Sequence, residues 1–341
     1  MTAERMTQAA IYGLEGLAMT ASERDFFHDA DPSGFILFRR NCESQDQLLA
    51  LTDSLRALAG RDDVPILIDQ EGGRVARMRP PVWPAFPTAE RFANLYQLAP
   101  SSAIEAARSN ARALALMLRS CGINVNALPL LDVRQEGATD IIGDRALGSE
   151  PMQVAALGRA VLDGMASAGV IGIIKHMPGH GRALVDSHKE LPVVTASAEE
   201  LEVDLEPFER LSNSPLGMTA HVVYEAWDAE RPASLSPIVI HDVIRERIGF
   251  DGWLMSDDIG MEALQADFAS RASGVVAAGC DVALHCSGKM DEMIAVASAV
   301  PAMSAEGQER LDRALAATRT DLAPLNFAEE ISKRDQLLAL A

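Results

Sequence analysis

The sequence predicts an α/β protein folded as a single (β/α)8 TIM-type barrel. Short apolar, β-rich runs alternate with longer segments of helical period, which is the signature of parallel βα units. Eight such runs are present, and polar residues gather where they end. At 341 residues the chain is long enough for one barrel. A doubly wound open sheet is the alternative. No Gly/Ser linker, charge block or low-complexity stretch interrupts the series, so residues 1–341 are expected to form one domain.

The expected strands are residues 10–14, 34–38, 65–69, 123–126, 171–175, 216–220, 252–256 and 280–284. Between the fourth run and the one before it, SSAIEAARSNARALALMLRSCG (101–122) places Ser102 and Glu105 in capping-box spacing. Apolar residues follow at 104, 107, 111, 114 and 118, and Gly122 is a stop. SAEELEVDLEPFERL (197–211) repeats the device with Ser197 and Glu200, and its buried stripe is Leu201, Leu205 and Phe208.

Composition narrows the partners. A formal charge of -19 argues against nucleic acid or an anionic membrane, because either calls for clustered Lys and Arg. A small neutral or weakly charged ligand fits better. Cys42, Cys121, Cys280 and Cys286 show no C-x-x-C pairing and read as buried thiols of a reduced compartment. The N-terminus lacks the apolar run of a signal peptide, and no 18-residue apolar stretch occurs, so a cytoplasmic protein is expected. Oligomeric state is left open, with a monomer as the simplest expectation.

The polar strand ends are Asp69, Lys175 and His176, His221, Asp257 and Asp258, and His285. In parallel α/β folds the C-terminal strand ends form the ligand crevice, so these groups are expected to converge on one pocket. KHMPGHGRALVDSHKELP (175–192) adds His180, Asp186 and His188. One reading is a metal site, since His176 and His180 have H-x-x-x-H spacing, but Pro178 and Gly179 lie between them and break any helix. Another is proton transfer: in Asp186-x-His188 a carboxylate fixes the imidazole tautomer and leaves the second nitrogen to pass a proton. The glycines would then hinge a lid that carries His188 over a substrate. Asp257 is expected to point inward, with Asp258 supporting it or capping the helix expected directly after it, over 259–272.

DQEGGRVAR (69–77), GDRALG (143–148), KHMPGHG with DSHKELP, MTAHVVY (218–224) and GFDGWLMSDDIGM (249–261) resemble the β-N-acetylhexosaminidases of glycoside hydrolase family 3. The resemblance runs from about Tyr12 to His285, with the motifs in the family's order. It implies a retaining β-glycosidase that removes terminal N-acetylglucosamine. In the bacterial cytoplasmic branch the substrate is a recycled cell-wall fragment, N-acetylglucosamine on 1,6-anhydro-N-acetylmuramic acid, with or without peptide. It further implies Asp257 as nucleophile, His188 as acid/base with Asp186 as its partner, and Asp69, Arg77, Arg145, Lys175 and His176 as sugar-binding residues. On this reading neither a metal nor another cofactor is needed, and His180 supports the loop. Met177 stands where Phe is usual, and SDDIGM replaces the commoner SDDLSM. Longer relatives carry a second α/β domain after the barrel; with 83 residues after Asp258, one domain is expected here. Three rivals stay open: a phosphorylase of the same family, in which phosphate replaces water at a neutral base; a metal-dependent barrel hydrolase; and a non-catalytic sugar-binding module.

Overall fold

The computed structural model describes residues 6–135, 137, 141–185, 190–316 and 324–341. In chain order its strands are β1 (Gln8–Gly13), β2 (Pro32–Leu37), β3 (Ile66–Ile68), β4 (Val125–Asn126), β5 (Ile171–Met177), β6 (Val193–Val194), β7 (Leu216–Thr219), β8 (Val223–Tyr224), β9 (Asp228–Pro232), β10 (Trp253–Asp258) and β11 (Val282–His285). Eight of them close a parallel barrel in the order β1-β2-β3-β4-β5-β7-β10-β11, and β6, β8 and β9 form a small separate sheet. All eight expected runs are barrel strands. The ring closes where β1 meets β11, with Ala10, Ile11 and Tyr12 opposite Ala283, Leu284 and His285.

Every residue of β2 and β5 is buried, because in such a barrel helices cover one face of a strand and the packed interior the other. That explains why the strands read as continuous apolar runs. Helix Ala198–Arg210 begins at the expected box: Ser197 accepts from the Glu200 amide while Glu200 reaches back, and Leu201, Leu205 and Phe208 are buried. Ser102 and Glu105 do not form a box. Their helix, Pro100–Ser120, starts two residues earlier on Pro100, whose fixed φ suits a first turn and which has no amide to satisfy. Glu105 instead pairs with Arg108 at 2.6 Å and with Lys333 at 2.5 Å, which ties this helix to helix Phe327–Leu338. The helix expected at 259–272 begins later: residues 259–266 are turns, and Asp267 caps Phe268–Ala278.

Cys121, Cys280 and Cys286 are buried free thiols, as expected, whereas Cys42 is only half-buried. No helix among the described residues is long and apolar enough to cross a membrane.

Candidate active site

A pocket of about 980 Å³, counting its open mouth, lies at the C-terminal end of the barrel. The strands deliver its chemistry: Asp69 follows β3, Lys175 and His176 end β5, and Asp257 and Asp258 end β10. Loops add Glu71 and Arg77 after β3 and Arg145 from the turn Gly143–Arg145. Asp69, Arg77, Arg145, Lys175, His176 and Asp257 therefore share one cavity. Asp186 and His188 lie outside the described residues.

Alternating charges run along the pocket wall. Arg77 Nη2 donates to Asp69 at 3.0 Å, and Lys175 Nζ reaches Asp69 at 3.2 Å and Glu71 at 2.8 Å. Arg145 closes on Glu71 with two parallel bonds of 2.8 Å, the fork geometry that makes guanidinium–carboxylate pairs directional. The side chains of Lys175 and Glu71 are only 3% and 5% exposed. Burial pushes Glu71 up, but the Lys175 and Arg145 charges outweigh it and hold the carboxyl at about 2. Asp69 is likewise driven well below the carboxylate range, with Lys175 and Arg77 overcoming burial. The same pairs raise Lys175 and Arg145 against burial, so the wall is fully ionised at neutral pH.

His176 is held from behind. Asp132, whose side chain is fully buried, takes His176 Nδ1 on Oδ2 at 2.8 Å, and its Oδ1 accepts the backbone amides of His176 at 3.1 Å and His180 at 2.7 Å. Burial raises the Asp132 carboxyl, but His176 prevails and brings it down to about 2. His180 is buried, lies edge-on to His176 at 5.6 Å between ring centres, and is pushed down to about 4 by burial and the neighbouring His176. The stem that follows, which carries the glycines expected to hinge the lid, is packed in place. Gly179 and Gly181 are buried, Tyr224 Oη donates to the Gly179 carbonyl at 2.7 Å, and Arg182 pairs with buried Asp204 at 2.6 Å. A Cβ on Gly181 would lie 1.9 Å from the Val133 carbonyl oxygen, so glycine is required there for close backbone approach.

Asp257 and Asp258 both line the pocket. Asp258 is fixed by the amides of Gly260 at 2.9 Å and Cys286 at 3.2 Å, and burial together with the Asp257 charge pushes it up to about 6. Asp257 Oδ1 accepts the Asp258 amide at 2.8 Å. Two of the expected strand-end groups do not line the pocket. His285 faces the helical layer, against Phe268 and Glu292, while Leu284 and Cys286 on either side of it line the cavity. That is the consequence of side chains alternating along a strand. His221 is buried between Ser234 Oγ at 2.6 Å and the Asp258 carbonyl at 3.0 Å, which makes it a brace for the end of β10.

Residues 3–318 match the glycosyl hydrolase family 3 N-terminal domain. The β-hexosaminidase of Methylococcus capsulatus is 39% identical over 282 residues, 81% of this chain and 82% of that protein. The chain belongs to the β-hexosaminidases of glycoside hydrolase family 3. Among solved structures, NagZ from Neisseria gonorrhoeae in complex with N-trifluoroacetyl-D-glucosamine superposes with a TM-score of 0.87 at 30% identity, covering 98% of each chain. NagZ from the same organism in complex with zinc ion gives 0.86 at 29% identity, again over 98% of each.

In this family-3 barrel neither departure from the usual motifs, Met177 or Ile259 with Gly260, lines the pocket. Met177 is fully buried with its tip against Gly217, and Gly260 supplies the amide that holds Asp258. Among the described residues the one group of three possible metal ligands within reach of one another is His241, Asp242 and Glu246, exposed and away from the pocket. Two buried carboxylates outside the expected site set shape the pocket, Glu71 as an organiser of the cations and Asp132 behind His176. Glu71 sits inside DQEGG and was legible as an acid near a strand end. Asp132 follows an apolar stretch beyond β4, and only the fold brings it to β5.

Proposed function

We propose that the chain is a retaining β-N-acetylglucosaminidase that releases terminal non-reducing N-acetylglucosamine from cell-wall fragments. The fragments are N-acetylglucosamine on 1,6-anhydro-N-acetylmuramic acid, with or without peptide, as in peptidoglycan recycling. The observation that carries the reading is the gathering of Asp257 with Asp69, Arg77, Arg145, Lys175 and His176 in one pocket. Ionised carboxylates accept from sugar hydroxyls, and guanidinium and ammonium groups donate to them. The similarity to a protein solved with N-trifluoroacetyl-D-glucosamine supports an amino sugar as the occupant. A single catalytic domain in the cytoplasm is part of the reading, and the four free thiols fit a reduced compartment.

In this mechanism Asp257 attacks the anomeric carbon while His188, oriented by Asp186, protonates the departing oxygen. A glycosyl-aspartate forms, His188 takes a proton from water, and the sugar leaves with retained configuration. Glu71 is a poor substitute acid, because Arg145 and Lys175 keep it ionised down to about pH 2.

Product analysis on the anhydro-disaccharide tests the reading. The expected product is free N-acetylglucosamine of retained configuration, with a slow mechanism-based inhibitor labelling Asp257. His188→Ala should cripple this substrate, by on the order of 10²–10⁴-fold. It should still cleave an activated aryl glycoside and gain turnover from azide. N-acetylglucosamine 1-phosphate formed in phosphate buffer would reassign the enzyme as a phosphorylase. Label on another acid, or near-normal turnover by His188→Ala, would overturn the residue roles.

A further inference from the structure

We infer that Asp132 is a positioning residue that locks His176 in the Nδ1–H tautomer and so presents Nε2 to the sugar as a hydrogen-bond acceptor. The inference rests on the sugar-binding reading of the pocket but concerns a residue outside it. Asp132 is fully buried and cannot touch substrate.

The geometry divides its two oxygens. Oδ1 accepts two backbone amides, His176 at 3.1 Å and His180 at 2.7 Å, which is a purely structural duty. Oδ2 is given to the His176 ring at 2.8 Å. An ionised carboxylate can only accept, so Nδ1 must carry the hydrogen. In a neutral imidazole the other nitrogen is then a lone-pair acceptor, on the opposite edge of a ring that lines the pocket. Arg77, Arg145 and Lys175 around it are donors alone. A sugar hydroxyl bound among them can accept from a cation and still needs somewhere to place its own proton, and Nε2 provides such a place in the pocket that Asp69 also lines.

Asp132→Asn isolates this function. The side-chain carbonyl can go on accepting the two amides, while an NH₂ replaces Oδ2 and can only donate, which forces the neutral ring to the Nε2–H form. Nitrogen-15 NMR of the histidine-labelled protein, without ligand, should report Nδ1–H at His176 in the native enzyme and Nε2–H in the variant. Kinetics should show KM raised by about 10- to 100-fold with kcat little changed, the range expected for a lost hydrogen bond made in ground and transition states alike. Asp132→Asn placed on His176→Gln should add little further loss, because both act through one ring.

An Nε2–H signal in the native enzyme overturns the proposal, and that measurement needs no variant to fold. So does a KM defect of Asp132→Asn that persists in full on the His176→Gln background. If the tautomers behave as expected but no β-N-acetylglucosaminide is cleaved by the native enzyme, the functional reading fails and the positioning role stands.

Discussion

Changing Glu71 to Gln should weaken the fold and the grip on sugar together, without the signature of a lost acid. The side chain is 5% exposed and receives two bonds of 2.8 Å from Arg145 and one of 2.8 Å from Lys175, which is itself 3% exposed. Removing one partner of a buried pair costs about 3–5 kcal/mol, because the other charge is left uncompensated. Gln keeps one carbonyl acceptor and Lys175 keeps Asp69, so a loss near the lower figure, about 3 kcal/mol, is expected. That is a large share of the roughly 5–15 kcal/mol that holds a domain folded. The loss should depend on pH. Glu71 falls from an ordinary 4.5 to about 2 in the folded protein, so its stabilisation is complete above pH 4.5 and disappears as pH drops towards 2. Urea unfolding of both proteins at stepped pH should therefore show a gap at pH 7 that closes below pH 4.5. In kinetics, KM should rise for activated aryl and natural substrates alike, since Arg145 and Lys175 lose their orienting partner. A variant as stable as the parent that fails only on poor leaving groups would refute this reasoning and make Glu71 the general acid.

Asp258→Asn should behave in the opposite sense. Burial and Asp257 raise Asp258 from 3.8 to about 6, so its ionisation costs stability as pH climbs through that interval, by at most about 3 kcal/mol above it. Asn retains an acceptor for the Gly260 and Cys286 amides, and thermal melts should show it more stable than the parent at pH 7.5 but not at pH 3.5. Gly181→Ala places a methyl where the Val133 carbonyl oxygen lies 1.9 Å away, so the loop stem must shift. Overpacking of about 1–3 kcal/mol should appear in unfolding curves, together with a drop in kcat that Gly16→Ala, with nothing within 4 Å, does not share.

The eight strands were readable because a strand buried on both faces must be apolar throughout, and GFILF, PILI and IGII have no other obvious use. The pocket residues at the ends of β3, β5 and β10 were readable for the same reason: a charge that terminates such a run has to face the crevice or solvent. Parity along the strand was not readable from a polar end alone. His285 looked equivalent to Asp257 but falls on the helix-facing side between Leu284 and Cys286. The roles of Glu71 and Asp132 depend on partners 74 and 44 residues away in sequence, Arg145 and His176, and no local pattern encodes them. Helix boundaries failed where a stronger local signal competed: Pro100 displaced the Ser102–Glu105 box, and the turn that fixes Asp258 to Gly260 delayed the next helix to Asp267.

Three cations and two carboxylates joined from Arg77 to Arg145 leave one positive charge built into the pocket wall. Each member is already gripped by a neighbour, so the wall cannot swing to follow a charge that appears or vanishes beside it. In the proposed double displacement Asp257 becomes neutral as an ester and negative again when water releases the sugar. A fixed positive surplus disfavours the neutral ester and favours the returning carboxylate, so the intermediate is pushed towards hydrolysis. A sixth, negative member in the same wall would cancel that surplus and take the bias away, leaving the ester without this push towards hydrolysis.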